Sequence, residues 1–192
     1  DEYSAQELQD ACAVIDWLSR QPWCSGSVGM MGKSWGGFNC LQTAFLQPPA
    51  LKAVISVYST TDRFADDIHF KGGCLLGENF GWGTVMLSYS SRPGDPLLHN
   101  DWREEWLRRL EAQPFHAPDW ASHQTRDAYW KHGSINEDWD RMTVPILSFG
   151  GWNDNYMNTV AALLENARGP VKGIIGPWVH QFPHTAVPGP KI

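Results

Sequence analysis

The sequence predicts an α/β protein with a partial parallel β-sheet that is interrupted by a helical insertion. Near both ends of the chain, short apolar runs bounded by Gly or Pro alternate with stretches whose apolar residues recur at helical spacing. Between them the pattern changes to short helical segments rich in Trp, His and paired charges. We therefore predict a first part of the core at residues 1–65, a helical insertion at 66–140 and a second part of the core at 141–192.

The first segment predicts the order helix, strand, helix, strand. Ser4 and Glu7 form a capping-box pattern before apolar residues at helical spacing, which predicts a helix from residue 5 to about 20. SVGMMG, at 27–32, is too short for a helix and predicts a buried strand, whereas SWGGFNCLQTAFLQ, at 34–47, predicts a helix. LKAVISVYS, at 51–59, is β-branched and continuous, which predicts a strand buried on both faces of a parallel sheet.

The insertion and the last segment follow the same logic. Helices are clearest at NDWREEWLRRLEA and TRDAYWKHG within the insertion. Thereafter VPILSFGGW predicts a strand, NYMNTVAALLENA a helix that is closed by a Gly-Pro pair, and VKGIIGP a final strand.

Composition excludes several classes of partner. The net charge of -6 and the scattered Lys and Arg residues argue against nucleic acid. No apolar run approaches the roughly 20 residues of a membrane span. The four cysteines contain no CxxC pair, so no metal site, cofactor or disulfide framework is expected. These features predict a cytoplasmic protein, with homo-oligomerisation left open, and the start without Met inside a predicted helix suggests a piece of a longer chain.

Gly32-Lys33-Ser34-Trp35-Gly36 has the pattern G-x-S-x-G between a predicted strand and a predicted helix. A serine hydroxyl attacks well only when a base removes its proton and donors await the oxyanion. The sequence therefore predicts Ser34 as a nucleophile, with the backbone N–H of Trp35 as an oxyanion donor. A glycine-rich turn needed only for helix packing is the alternative. A phosphate loop is disfavoured because the earlier glycine of that motif is not at the required offset.

A nucleophile of this kind requires an acid and then a His at the ends of later strands. Asp154 and His180 stand at those positions, which predicts that His180 is the base and that Asp154 orients it. Three alternatives stay open. Asp154 would only cap the next helix, Asp62 would be the acid in its place, or His184 would be the base in place of His180. His180 and His184 as a metal pair are disfavoured because a proline lies between them and no third ligand is evident. The other four candidate histidines are predicted to be surface or packing residues: His69, His116, His123 and His132.

With GMMGKSWGGFNCLQTAFLQ, GGWNDNY and GPWVHQFPH, nearly the whole chain resembles the CocE/NonD hydrolases, which are cocaine-esterase-like acyl esterases related to X-prolyl dipeptidyl peptidases. The resemblance implies an α/β-hydrolase fold and a catalytic triad of Ser34, Asp154 and His180. It also implies that residues 66–140 form a helical cap over the acyl pocket. Five tryptophans would line or brace that cap: Trp82, Trp102, Trp106, Trp120 and Trp130.

The family pattern also implies parts that lie outside this sequence. Full-length members have earlier strands that carry a Tyr as second oxyanion donor, and a C-terminal jelly roll, so the chain is expected to depend on such segments for folding or activity. Related α-amino acid ester hydrolases bind the substrate amine with carboxylates. Asp66 and Asp67 match the first of these, but Asn155 and Tyr156 occupy the later positions, which disfavours a free-amine substrate.

The functional prediction is a serine hydrolase that cleaves small-molecule esters, or amides, through an acyl-enzyme. An uncharged acyl group is favoured. Two alternatives remain: an X-prolyl dipeptidyl-peptidase-type aminopeptidase, and a Trp-rich module that binds a sugar or apolar ligand without catalysis.

Overall fold

A four-stranded parallel sheet forms the centre of the computed structural model, which describes residues 2–187 and 189–192. In chain order the strands are β1 (Val28–Lys33), β2 (Leu51–Val57), β3 (Phe70–Lys71), β4 (Cys74–Leu75), β5 (Ile146–Gly151) and β6 (Val171–Gly176). The sheet has the order β1-β2-β5-β6, and all of its pairs are parallel. Strands β3 and β4 pair with each other as a short antiparallel hairpin. The predicted α/β fold is confirmed.

Seven α-helices accompany the strands within the described part of the chain. They are α1 (Ala5–Ser19), α2 (Trp35–Phe45), α3 (Gly77–Ser90), α4 (Trp102–Glu111), α5 (His116–Ser122), α6 (Ala128–Lys131) and α7 (Thr159–Asn166). Helix α2 connects β1 to β2 and α7 connects β5 to β6, as parallel neighbours require. Helices α3 to α6 all lie between β2 and β5, so the insertion enters at one sheet connection. None of the helices in the described residues is long and apolar enough to cross a membrane.

The helix start at Ser4 forms as predicted, but Glu7 has a different role from that of a capping box. Ser4 Oγ accepts a hydrogen bond from the backbone N–H of Glu7 at 3.3 Å. The Glu7 carboxylate accepts from Trp35 Nε1 and Asn39 Nδ2, both at 2.9 Å. This acid therefore joins α1 to the start of α2, next to Ser34.

Three local predictions are wrong in part. Strand β1 is not a buried strand, since its burial is at most intermediate and Met31 is 63% exposed. Strand β2 is buried on both faces only in its second half, because Lys52 and Ala53 are exposed. Helix α7 begins at Thr159 rather than at 155, because the residues after Asp154 form turns, with Asp154 Oδ1 accepting from the Tyr156 N–H at 2.9 Å.

The insertion contains helices that propensity does not indicate. Helix α3 includes Gly77, Gly81 and Gly83, which are poor helix formers. Tertiary packing accounts for one of them: a Cβ on Gly83 would lie 2.7 Å from the Cβ of Ala117, so α3 and α5 approach closely only with glycine there.

The buried residues form three clusters. The first packs α2 and α7 against the sheet and includes Leu41, Val54, Ile146 and Leu163. The second lies near the carboxyl ends of the strands and includes Phe38, Val57, Tyr58, Tyr156 and Trp178. The third consists of Phe70, Ala117, Trp120 and Trp130, which all lie between β2 and β5 in the sequence.

The tryptophans of the insertion divide by role. Trp120 and Trp130 are completely buried in the third cluster, and Trp82 packs against it. Trp102 and Trp106 stack on each other on α4, with ring centroids 6.3 Å apart. Bracing of the small core therefore accounts for the fully buried pair.

Candidate active site

Ser34, Asp154 and His180 converge because the strands that precede them are parallel. Ser34 directly follows β1, Asp154 lies three residues after β5, and His180 lies four residues after β6. The carboxyl ends of parallel strands meet at one edge of a sheet, which is where ligands bind in open α/β sheets.

The Ser34 backbone is strained, with φ at 57° and ψ at -123°. For a residue other than glycine such a φ costs on the order of 1–3 kcal/mol and persists only where the surroundings enforce it. The Ser34 N–H donates to the Val57 carbonyl at 2.9 Å, and its own carbonyl accepts from the Phe38 N–H at 2.9 Å. Its side chain makes no capping bond to α2. The hydroxyl is thus presented beyond the sheet edge instead of closing the helix.

The two glycines of the motif are not equivalent. A Cβ on Gly32 would overlap the carbonyl group of Gly36 and lie 2.7 Å from its Cα, whereas a Cβ on Gly36 would meet nothing within 4 Å. Of the two motif glycines, only Gly32 is required by a close contact, since a side chain at Gly36 would point into open space. The second close approach falls instead at Gly37, where a Cβ would lie 3.0 Å from the Val57 carbonyl oxygen.

Trp35 is the first residue of α2, so its backbone N–H belongs to the unsatisfied donors of a helix N-terminus, where the helix dipole favours negative charge. Its indole is held in place, because Nε1 donates to Glu7 and the ring packs on Tyr3 with centroids 4.7 Å apart. These contacts fix the residue that follows the serine.

Asp154 and His180 form a hydrogen-bonded pair. Asp154 Oδ2 lies 2.6 Å from His180 Nδ1, and the Asp154 side chain is fully buried whereas that of His180 is 41% exposed. The other carboxylate oxygen accepts the Tyr156 N–H, so both oxygens are engaged. Asp154 is not the cap of α7, whose N-cap residue is Asn158. When Nδ1 donates to the acid, Nε2 is left as the acceptor nitrogen.

The alternative acid and base lie in other surroundings. Asp62 accepts hydrogen bonds from Asn136 Nδ2 at 2.9 Å and from Arg126 Nε at 3.3 Å, which ties the end of β2 to the insertion. His184 lies in the 3₁₀ helix Pro183–Thr185, with its ring 5.6 Å from that of Phe182. The structure pairs His180 with Asp154.

Of the other candidate histidines, one borders the site. His69 is buried, shares a 2.7 Å hydrogen bond between Nδ1 and Asn79 Oδ1, and lines the cavity described below. Burial lowers its pKa to about 4. His116 and His123 stack on the rings of Trp120 and Tyr129, and His132 Nε2 donates a 2.7 Å hydrogen bond to the Tyr3 carbonyl. Within residues 2–187 and 189–192, no three His, Cys, Asp or Glu side chains are grouped so that they could hold a metal ion.

A cavity of about 310 Å³ opens over Ser34 and His180. Its volume is at the lower end of the range for small-molecule sites, about 300–1,000 Å³. Its walls come from the chain start, from α2, from the β3 region and from α3 of the insertion. Aromatic and aliphatic side chains dominate them: Tyr3, Trp35, Phe38, Ile68, Trp82, Val85 and Tyr156.

Three carboxylates also line this cavity: Glu2, Asp67 and Glu78. Glu2 is buried against Arg63, to which it is hydrogen bonded. Asp67 is also buried, and burial raises its pKa to about 7, although the Ile68 N–H donates to Oδ1 at 2.7 Å. Glu78 is exposed on α3. Sequence reasoning missed Glu2 and Glu78, because neither belongs to a motif and only the fold brings them to Asp67.

The parallel sheet, the strained serine at the β1–α2 turn and the hydrogen-bonded acid and His at later strand ends are the features of an α/β-hydrolase fold. The model of the X-Pro dipeptidyl-peptidase family (S15 family) matches residues 2–181. The chain belongs to this family.

Known relatives agree with the resemblance to CocE/NonD hydrolases. The cocaine esterase of Rhodococcus sp. (strain MB1 Bresler) is 27% identical over 197 residues, which cover 89% of this chain and 34% of the esterase. A CocE/NonD family hydrolase from Staphylococcus aureus shares the fold with a TM-score of 0.66 at 20% identity, over 92% of this chain and 29% of that one. An aminopeptidase from a marine sediment Thaumarchaeota archaeon gives a TM-score of 0.64 at 22% identity, covering 93% and 33%. The chain therefore spans about a third of the length of these proteins.

The two glycines of the motif give a matched test. We expect Gly32→Ala to distort or unfold the serine turn, because the added methyl group overlaps the Gly36 backbone. Gly36→Ala should keep the native fold, because the space is open and alanine favours a helix. Thermal unfolding monitored by circular dichroism measures both. Equal thermal midpoints for the two variants would contradict the geometry.

The buried Asp67 predicts a pH dependence of stability. Burial raises the pKa of Asp67 to about 7 in the folded state. Between the unfolded and the folded pKa, the folded protein therefore keeps a proton that the unfolded chain has released. Its contribution to stability is complete below the unfolded pKa and is lost as the pH rises through about 7.

Urea unfolding of the wild type and of Asp67→Asn between about pH 4 and 8 checks this, because the variant cannot titrate at this position. The unfolding free energy of the wild type should fall relative to that of the variant across this window. Parallel profiles would show that Asp67 titrates normally.

Proposed function

We propose that this chain carries the catalytic centre of a serine hydrolase that cleaves carboxylic esters through an acyl-enzyme. The observation that carries the proposal is the 2.6 Å hydrogen bond between Asp154 and His180 at the rim of the cavity that Ser34 lines. In this assignment Ser34 is the nucleophile, His180 is the general base and acid, and Asp154 orients the imidazole.

Acylation begins when the Ser34 hydroxyl attacks the ester carbonyl carbon and His180 Nε2 takes its proton. The backbone N–H of Trp35, at the start of α2, donates to the developing oxyanion. The imidazolium is stabilised by the buried Asp154 carboxylate and gives its proton to the departing alkoxide. Collapse of the intermediate breaks the bond to the alcohol and leaves the acyl group on Ser34.

Deacylation repeats these steps with water. His180 takes a proton from the water molecule as its oxygen attacks the acyl carbon, and then returns a proton to Ser34 as the acid product leaves. Because His180 is 41% exposed while its partner is fully buried, the imidazole can meet water without exposing Asp154.

The cavity supports an uncharged acyl group as the substrate portion held next to Ser34. Its volume of about 310 Å³ and its aromatic lining favour a small aromatic or branched group. Trp82 and Val85 belong to α3, so the insertion closes this space from above the sheet edge. On this basis we propose residues 66–140 as a cap and small-molecule esters or amides as the partners of the site.

A second candidate function is that of an aminopeptidase of the X-prolyl type. The carboxylates of Glu2, Asp67 and Glu78 line the cavity, where one of them could hold a substrate ammonium. Only Asp67 of these three belongs to the carboxylate positions that the family pattern implies. Two observations place this function second. Glu2 is paired with Arg63, and burial raises the pKa of Asp67 to about 7, which reduces the negative charge available for an amine.

The nucleophile is tested in the full-length protein with a fluorophosphonate probe, followed by mass spectrometry of the labelled peptide. Labelling is expected at Ser34, to vanish in Ser34→Ala, and to fall at least about 100-fold in rate in His180→Ala, because an unassisted serine is a poor nucleophile. Ser88→Ala, at an exposed serine of α3, is the matched control and should leave the rate unchanged. A full-length protein that binds an apolar ligand unchanged and is never labelled would instead be a Trp-rich binding module.

The substrate class is tested by comparing a p-nitrophenyl ester of an uncharged acyl group with an Xaa-Pro p-nitroanilide. We expect kcat/KM for the ester to be higher by at least about tenfold, or ~1.4 kcal/mol in transition-state free energy. The N-acetylated Xaa-Pro p-nitroanilide is the control, since it lacks only the ammonium. Faster cleavage of the free-amine anilide than of both other substrates would establish the aminopeptidase function.

A further inference from the structure

Lys33 connects the strand of the proposed nucleophile to the loop of the proposed base. It is the last residue of β1 and directly precedes Ser34. Its Nζ donates a 3.2 Å hydrogen bond to the backbone carbonyl of His180, 147 positions later in the sequence. The same ammonium lies 5.4 Å from the centre of the Phe182 ring. A single side chain thus contacts the loop at His180 and two residues beyond it.

The sheet cannot make this connection by itself. Strands β1 and β6 lie at opposite ends of the order β1-β2-β5-β6, so no ladder hydrogen bonds join them. The loop after β6 must therefore reach back across the strand ends to bring His180 to Ser34. Its backbone is tied to the neighbouring loop, where the Asn153 N–H donates to the Trp178 carbonyl at 3.2 Å. That bond fixes the loop to the side of Asp154 and not to that of Ser34.

The contacts of the imidazole do not fix its distance from Ser34 either. Asp154 holds His180 through Nδ1, and the rings of Tyr58 and Tyr156 lie 5.7 Å from it, centre to centre. These contacts define the orientation of the ring. The distance from its free nitrogen to Ser34 also depends on where the loop backbone lies relative to the end of β1, and Lys33 spans that interval.

The chemistry of Lys33 suits this role. An ammonium forms a charge-assisted hydrogen bond with a carbonyl oxygen, which is stronger than a bond between neutral groups. Its attraction to the face of Phe182 adds a second contact on the same loop. Lys33 is only partly buried and does not line the cavity, so it holds the loop without contacting the proposed substrate.

We propose that Lys33 is a positioning residue that holds the His180 loop against the end of β1 and thereby sets the distance between Ser34 and the base. This inference rests on the proposed function of Ser34 and His180. Small displacements of reacting groups have large effects on rate, since a shift of about 1 Å can cost on the order of 100-fold.

The test is Lys33→Met in the full-length protein, which removes the ammonium but keeps a long apolar side chain. We expect kcat for the p-nitrophenyl ester to fall by about 10- to 100-fold while KM changes little, because the cavity walls are untouched. The rate of fluorophosphonate labelling at Ser34 should fall by the same factor. Lys33→Arg should recover most of the rate, since a guanidinium can still donate to the carbonyl.

Lys52→Met is the matched control. Lys52 also donates from Nζ to a backbone carbonyl, that of Pro49 at 2.7 Å, but it lies at the amino end of β2, far from the site. Its kcat and labelling rate should equal those of the wild type. All activities are compared at a temperature where circular dichroism shows each variant to be folded.

The outcomes separate the two hypotheses. Absence of labelling at Ser34 in the wild type would reject the proposed function, whatever Lys33 does. Wild-type labelling with an unchanged kcat in Lys33→Met would overturn the positioning role alone, as would an Arg variant no better than Met. If Lys33→Met does not fold, Lys33→Leu replaces it, because leucine has neither a charge nor a hydrogen-bond donor; a wild-type kcat in that variant would equally overturn the role.

Discussion

The contact between Gly32 and the backbone of Gly36 is the constraint on which the rest of this structure depends. It allows α2 to start immediately after β1, so that the chain reverses within one residue and forces Ser34 to a φ of 57°. The cost of that conformation is offset by the ordinary hydrogen bonds on either side, to Val57 in the sheet and from Phe38 in the helix. A serine at such a turn points away from both the strand and the helix. Its hydroxyl is therefore accessible to a substrate, although the strand and the helix that flank it stay packed.

The acid of the proposed triad is more buried than its other two members. Asp154 is enclosed and has both oxygens engaged, whereas His180 is partly open and shares the cavity with Ser34. A buried carboxylate needs partners, because an unpaired charge away from water is costly. The Tyr156 N–H and the imidazole are those partners here. The same requirement that stabilises the loop therefore also orients the ring that would accept the serine proton.

The proposed cap at 66–140 covers one side of the cavity, and Arg63 and Asp67 set the charge beneath it. Its core of Trp120 and Trp130 allows α3 to be placed over the sheet edge as part of a packed unit, so that Trp82 reaches the cavity. Below it, Arg63 neutralises Glu2 while burial favours the protonated form of Asp67. The cavity is thus less anionic than a count of its carboxylates suggests, which is consistent with an uncharged acyl group as the proposed ligand.

The sequence by itself determined the order of the strands and helices of the sheet, the position of the serine turn and the two strand ends at which an acid and a His follow. These features are local, since periodicity, glycine positions and the nearest polar residues are visible within a few positions of one another. Only the tertiary structure decided which of Asp62 and Asp154, and which of His180 and His184, come together. It also decided that Gly36 is dispensable for packing, that Glu7 binds Trp35, and that Glu2 and Glu78 join Asp67 at the cavity. The reason is physical: each of these outcomes depends on contacts between segments distant in the sequence, and residue spacing carries no information on such contacts until the sheet brings the segments together.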